Sequence, residues 1–435
     1  MNLLKKWIFK ENDNVDKSSL IWNTIASGIN ASESIVILMV AARIVDIQDV
    51  GILTFSFIVA NFMMFVGKYG VRNYQVTDTN NMYAFGDYLK SRYMSLLIMI
   101  FAITFFSFYA IFLVGYSKYK ITTMMLVIAI YAVEVYEDVY IAEVQRLGRL
   151  DIGAKVFSFR WFVVLLIWAL GIVSFGEILV PTVLALVVNI ITMVIMVKWL
   201  RKYIGDRYSI STDDFSGCKN ILKNCGPLCI TGALAMYITN AAKYAIDACL
   251  SDADQAYYGF ISISILVISL LTGIIFEPIL FKMAVEWNTN NIKVFCLYIK
   301  KISILIISIS FFVIVGAYFL GIPTLSFVYS TDLSGLKREM MILLFGGAVW
   351  AFVGMFGAVI TIMRKQKIMM VLYLIVSCCG LLSFQCIIRN FGLLGAALAN
   401  TGLIVVLAIA LGIYIWCEIR KKIKYPCSNV NKMLS

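Results

Sequence analysis

Apolar runs of membrane-spanning length follow one another along almost the whole chain, and this repetition restricts the fold more than any other feature. They fall at about Leu20–Ala42, Val50–Val66, Ser91–Val114, Ile121–Ile141, Gly153–Phe175, Ile178–Leu200, Asn224–Asp247, Ala256–Lys282, Ile302–Leu320, Met340–Met363, Ile368–Ile388 and Gly392–Cys417. A transmembrane helix needs about 20 predominantly apolar residues, so about twelve spans are expected. Hydrocarbon offers no water to backbone amides, which makes each run a helix rather than a strand. Soluble domains carry roughly 45–50% apolar and about 25% charged residues. Here the hydrophobic share is 61% and the charged share 14%, so a soluble enzyme is excluded. The 435 residues include no histidine, which removes His-based zinc sites and Ser–His or Cys–His nucleophile pairs. The ten cysteines are scattered and form no CxxC pair. Most sit in apolar runs, where a free thiol behaves as a small hydrophobe, and a disulfide scaffold is excluded as well.

The net charge of +12 comes from 37 Lys and Arg against 25 Asp and Glu. Its placement argues against nucleic acid, because the basic residues gather in the short gaps between runs. With the N-terminus inside, 29 of the 37 fall in cytoplasmic gaps and tails. Six (Arg43, Lys118, Lys120, Lys337, Arg338 and Arg389) fall in outer gaps, and Arg160 and Lys243 lie within spans. The positive-inside bias puts both termini in the cytoplasm. No cleavable signal peptide is read at the start, since Lys5–Lys17 is polar and the first long run is already span-length. Leu3–Phe9 is expected on the membrane surface with Trp7 at headgroup level.

The longest polar break near the middle is Arg201–Lys223. It divides the chain into an N-terminal lobe (1–200), a cytoplasmic linker (201–223) and a C-terminal lobe (224–435), each lobe with six helices. A weak internal repeat supports the division. Ala41-Ala42-Arg43 and Val50-Gly51 have counterparts in Ala241-Ala242-Lys243 and Tyr258-Gly259. Repeated helix bundles are the usual build of transporters, with substrate handled between the halves.

An ionisable side chain within a span costs about 2.5–3.5 kcal/mol on insertion scales and marks a functional site by default. Asn23, Ser27, Asn30 and Ser34 fall on one face of the first span, with Glu33 beside it. Small and polar residues also serve as helix–helix glue, and both readings stand for this face. The fourth span carries Tyr131, Glu134 and Asp138 on one face with Glu137 alongside, and Arg160 falls at similar depth in the fifth. A pair between Arg160 and Glu137 or Asp138 is expected. In the seventh, Asn240, Lys243, Tyr244 and Asp247 cluster, with Lys243 and Asp247 spaced to pair along the helix. Glu277 precedes Pro278 in the eighth; a proline that frees a backbone carbonyl beside a carboxylate reads as a hinge or as a plain bend. No ring-like filter sequence and no GxxxxGK[ST] loop is present. Secondary transport, or a scramblase-like flip of a lipid, is what remains.

Several stretches carry a family resemblance: Ala41–Phe62 (AARIVDIQDVGILTFSFIVANF), Gly70–Asp78 (GVRNYQVTD), Tyr88–Arg92 (YLKSR), Gln145–Leu150 (QRLGRL), Asn240–Asp247 (NAAKYAID) and Gly392–Ala397 (GLLGAA). In order and spacing they resemble the polysaccharide transporters of the MATE/MOP exporter superfamily, the group that holds the Wzx-type O-antigen flippases. The resemblance implies an all-α, MATE-like protein with two pseudo-symmetric six-helix lobes around a central cavity, resident in a bacterial cytoplasmic membrane. It also implies movement of an undecaprenyl-diphosphate-linked oligosaccharide to the outer face for surface polysaccharide or lipopolysaccharide assembly. A polysaccharide polymerase or glycosyltransferases are then the natural neighbours. No cofactor is implied, and coupling to H+ or Na+ through the carboxylates stays open. Asn30, Glu33, Arg43, Glu134, Glu137, Asp138, Arg160, Asn240, Lys243, Asp247 and Glu277 are the candidate pathway or coupling residues, with Pro278 as hinge. Glu33, Glu134, Glu137, Asp138 and Glu277 outnumber the bases Arg43, Arg160 and Lys243, a departure from the cationic cavity such flippases are described with. That excess of acid favours the alternative of a cation-coupled multidrug exporter. A membrane glycosyltransferase fits poorly, because the outer gaps are short and hold few acids.

Overall fold

The computed structural model describes residues 2–10, 14–78, 82–205, 215–265, 268, 272, 279 and 282–424. All regular structure among them is helical. The chain divides into two compact units, Met1–Ala233 and Leu234–Ser435.

The first unit contains α1 (Asn2–Ile8), α2 (Val15–Ile44), α3 (Ile47–Lys68), α4 (Val71–Thr77), α5 (Phe85–Tyr109), α6 (Lys118–Arg146), α7 (Leu150–Phe175), α8 (Leu179–Ile204) and the first half of α9 (Ser216–Cys249). Side-chain oxygens open three of the long helices by accepting from otherwise unbonded amides. Asn14 accepts from Lys17 N at 2.9 Å, Asp46 from Gln48 N at 3.0 Å and Ser117 from Lys120 N at 3.2 Å. Between α3 and α4 the chain turns through two successive left-handed residues, Tyr69 (φ 51°) and Gly70 (φ 72°), the second a conformation that glycine adopts without steric cost. This turn places Lys68 and Arg72 on the same side of α6.

Helix α6 is the axis of the unit. It packs against α3, α4, α5, α7 and α8, while α7 also carries α2. Short α1 is docked rather than adrift: it packs on α7, buries Ile8 and sets Trp7 edge-on to Trp22 at 5.1 Å. Trp7 keeps 39% of its surface exposed, which leaves an interfacial position open to it.

The second unit contains the rest of α9, α10 (Asp252–Ser262), α11 (Ile292–Tyr329), α12 (Lys337–Ile362) and α13 (Gln366–Lys424). Helix α13 is two helices meeting at Gly392 (φ 56°, ψ −140°), so it holds the eleventh and twelfth runs. It packs along α12, and α12 also meets α10 and α11. Gly347 lets α12 approach the backbone of Ile265; a Cβ there would sit 2.8 Å from the Ile265 carbonyl oxygen.

Among the described residues nine helices are long and apolar enough to cross a bilayer, α13 counted as one. Helix α6 is not one of them, although it is as long as its neighbours, because Glu134, Glu137, Asp138 and Glu143 lie along it. About half of the run at 256–282 falls outside the described residues, Glu277 and Pro278 among them. The chain is an all-α, multi-pass membrane protein.

Candidate functional site: a charge cluster around helix α6

A polar helix crosses hydrocarbon only when protein encloses its polar face, and the first unit shows how this is done. Three of the four α6 carboxylates, Glu134, Glu137 and Asp138, meet a cation from a neighbouring helix. Glu134 Oε1 lies 2.6 Å from Lys68 Nζ at the end of α3, and Glu134 Oε2 accepts from Trp161 Nε1 of α7 at 2.8 Å. Glu137 Oε2 accepts from Arg160 Nε at 2.7 Å. The other edge of that guanidinium donates to Asn189 Oδ1 of α8 at 2.7 Å, and Asn189 Nδ2 donates to the Ile130 carbonyl at 2.9 Å. Asp138 divides its oxygens between two arginines: Oδ1 faces Arg72 of α4 at 2.9 Å and Oδ2 faces Arg92 of α5 at 2.7 Å. Arg92 also donates to the carbonyls of Gly67 and Lys68, at 3.0 and 3.1 Å, and so closes the C-terminal end of α3.

Two classes of cation emerge. The side chains of Arg92 and Arg160 are 0% exposed, whereas Lys68 is 29% and Arg72 35% exposed. Arg92 and Arg160 are therefore interior counterions of α6. Lys68 and Arg72 reach a cavity of about 250 Å³ within this unit, whose other polar walls are Asn23, Ser27 and Asn30 of α2 with Glu134 and Asp138. Three of the four polar residues aligned on the first span thus face a polar cavity.

Glu33 stands apart from the ion pairs. It is 4% exposed, its Oε1 accepts from Tyr131 OH at 2.6 Å, and its Oε2 has no hydrogen-bond partner among the described residues. Counting it, four carboxylates (Glu33, Glu134, Glu137, Asp138) are set among four cations (Lys68, Arg72, Arg92, Arg160). Within this cluster acids and bases are equal in number, because three loop-proximal bases fold onto it. Sequence reasoning assigned Lys68, Arg72 and Arg92 to the cytoplasmic gaps. The signal that could have found them was the need of three closely spaced α6 acids for counterions within reach.

The other expected residues are distributed more widely. Arg43 lies near the far end of α2, where its Nη1 donates to the Met39 carbonyl at 3.1 Å. Asn240 donates to the Met236 carbonyl at 3.0 Å. Lys243 and Asp247 lie four residues apart in the last turns of α9. Below the spans of the first unit, Asp78 ties down the loop after α4. It accepts from Met82 N at 2.9 Å, Tyr88 OH at 2.9 Å and Tyr83 N at 3.2 Å. Burial pushes its pKa up, but these hydrogen bonds outweigh it and hold the carboxyl below the ordinary 3.8. Among the described residues no three His, Cys, Asp or Glu side chains are grouped to hold a metal ion.

Solved structures with this helix arrangement are membrane transporters. A lipid II flippase, MurJ, in an inward closed conformation aligns with a TM-score of 0.73 at 13% identity, over 91% of this chain and 87% of its own. An outward-facing multidrug resistance MATE family transporter of the MOP superfamily aligns with a TM-score of 0.63 at 14% identity, over 97% and 98%. The fold is MATE-like. A MOP superfamily transporter from Pyrococcus furiosus Vc1 (DSM3638) aligns with a TM-score of 0.61 at 13% identity, over 94% and 99%; its binding pocket is described as of reverse polarity, suggesting a different function. No protein-family profile matches the sequence, and no curated protein matches it.

Proposed function

We propose that this chain is an alternating-access transporter that moves a polyprenyl-diphosphate-linked oligosaccharide from the cytoplasmic to the outer face of the membrane. The observation that carries this reading is the pair of partly exposed cations, Lys68 and Arg72, on a cavity walled by the amides of Asn23 and Asn30. Sugars and diphosphate cannot enter hydrocarbon, so they need donors and positive charge inside the protein, while the prenyl chain stays in lipid. An arriving diphosphate competes with Glu134 and Asp138 for these two cations. Neither carboxylate is stranded by the exchange. Glu134 keeps the Trp161 indole N–H, and Asp138 keeps Arg92. No covalent step is involved, and no cofactor is required.

A second reading, export of cationic compounds coupled to an inward cation, is favoured by Glu33, a carboxylate with one donor and no paired cation among the described residues. Proteoliposomes holding the purified protein separate the two. We expect them to translocate a labelled lipid-linked glycan, with Arg72→Ala abolishing the signal. Efflux of a cationic dye without glycan movement, sensitive to Glu33→Gln, would overturn the flippase assignment in favour of the exporter.

A further inference from the structure

The second unit contains a cavity of about 860 Å³ among α11, α12 and α13, separate from the charge cluster. Apolar exposure alone says little about a helix that faces lipid. This place differs in being concave, apolar along its length and cationic at one end. Lys337 and Arg338 stand at that end, in the first turn of α12; Phe345, Leu398 and Val405 line its apolar part. Lys337 Nζ sits 3.8 Å over the ring of Tyr318. Among the described residues neither Lys337 nor Arg338 has a carboxylate partner, and Glu339 in the same turn pairs with neither. Gly402 also lines the cavity, and a Cβ added there would meet nothing within 4 Å.

We propose that this groove holds one anionic phospholipid of the leaflet that Lys337 and Arg338 face. Its phosphate lies against the two cations and the amino end of α12, where helix partial charge also favours an anion. Its acyl chain follows Phe345, Leu398 and Val405. Length supports this occupant. Lys337 to Phe345 is about 12 Å of helix, close to the roughly 15 Å depth of one hydrocarbon leaflet and far short of a long polyprenyl chain. The proposal does not depend on which substrate the first unit handles.

Native mass spectrometry and thermal unfolding of the purified full chain in detergent test it, with phosphatidylglycerol, phosphatidylcholine, a polyprenyl phosphate and inorganic phosphate as separate probes. Phosphatidylglycerol should be retained and raise the melting temperature, with phosphatidylcholine weaker and inorganic phosphate inert. Lys337→Ala/Arg338→Ala should weaken phosphatidylglycerol binding about thirtyfold, from two juxtamembrane cations. Gly402→Leu should exclude the lipid while leaving the unliganded protein as stable as the parent. Unchanged retention in both variants overturns the proposal. So does preferential binding of polyprenyl phosphate, or stabilisation by inorganic phosphate alone.

Discussion

Replacing Arg160 with alanine should unfold the first unit more readily than any other single charge removal in the α6 cluster except Arg92. The guanidinium is fully enclosed and makes two 2.7 Å contacts, with Glu137 Oε2 and Asn189 Oδ1. Glu137 is 0% exposed, and its Oε1 already lacks a partner among the described residues. Without Arg160 its carboxylate would be left with neither a cation nor a donor. Breaking a buried pair from one side costs about 3–5 kcal/mol, because the surviving charge is uncompensated. For a unit of 150–250 residues each kcal/mol moves the midpoint about 2–4 °C, so a fall on the order of 10 °C is expected. The assay is thermal unfolding of detergent-solubilised protein followed by size-exclusion chromatography, alongside membrane abundance. Glu137→Leu/Arg160→Met, which strands no charge, should recover much of the loss. A fall of less than about 2 °C for Arg160→Ala would refute the claim that Arg160 is the counterion holding α6 in place.

Lys68→Ala and Arg72→Ala should each cost only about 1–2 kcal/mol, since Glu134 and Asp138 keep other partners; abundance is retained while glycan translocation in proteoliposomes falls by at least tenfold. Glu33→Gln should also spare abundance, because no cation among the described residues pairs with it, and should lower transport; wild-type transport in both Lys68→Ala and Arg72→Ala would remove the cavity from the pathway. Asp78→Asn should loosen residues 82–88, seen as faster amide exchange. Because the Asp78 pKa is held below 3.8, its stabilising share is present above that value and lost as pH falls through the lower folded one. Exchange in this loop should therefore be flat between about pH 5 and 8 once corrected for intrinsic rates. Gly347→Ala forces a methyl against the Ile265 backbone and should cost about 1–3 kcal/mol. Gly354→Ala in the same helix has nothing within 4 Å and should be neutral or stabilising by up to about 1 kcal/mol; equal melting temperatures for the two variants would contradict the close approach.

The spans could be read from the sequence because each is set by its own composition. The Arg160–Glu137 contact was within reach for a similar reason: two successive spans running in opposite directions place the two residues at one depth, leaving only the choice between Glu137 and Asp138. Lys68, Arg72 and Arg92 were not legible. Lys68 and Arg72 depend on the left-handed turn at Tyr69–Gly70 and on α3 running past its apolar run to Lys68, neither of which hydropathy registers, while Arg92 falls at the very start of the Ser91–Val114 run, where it counts with the gap before it. Counting them as inner-gap charges made the α6 acids look unbalanced.

The enclosure of α6 also bears on how the protein is made. On insertion scales its Glu134, Glu137 and Asp138 together carry a penalty of about 8–10 kcal/mol, too much for this helix to enter lipid by itself. Synthesis delivers Lys68, Arg72 and Arg92 beforehand and Arg160 directly afterwards. The earlier helices thus wait with unmatched bases until the acidic segment emerges, and the ribosome's direction of travel makes α6 the keystone of the bundle. A chain halted before residue 118 would expose those bases to quality control, whereas one extended past Asn189 would have every partner it needs.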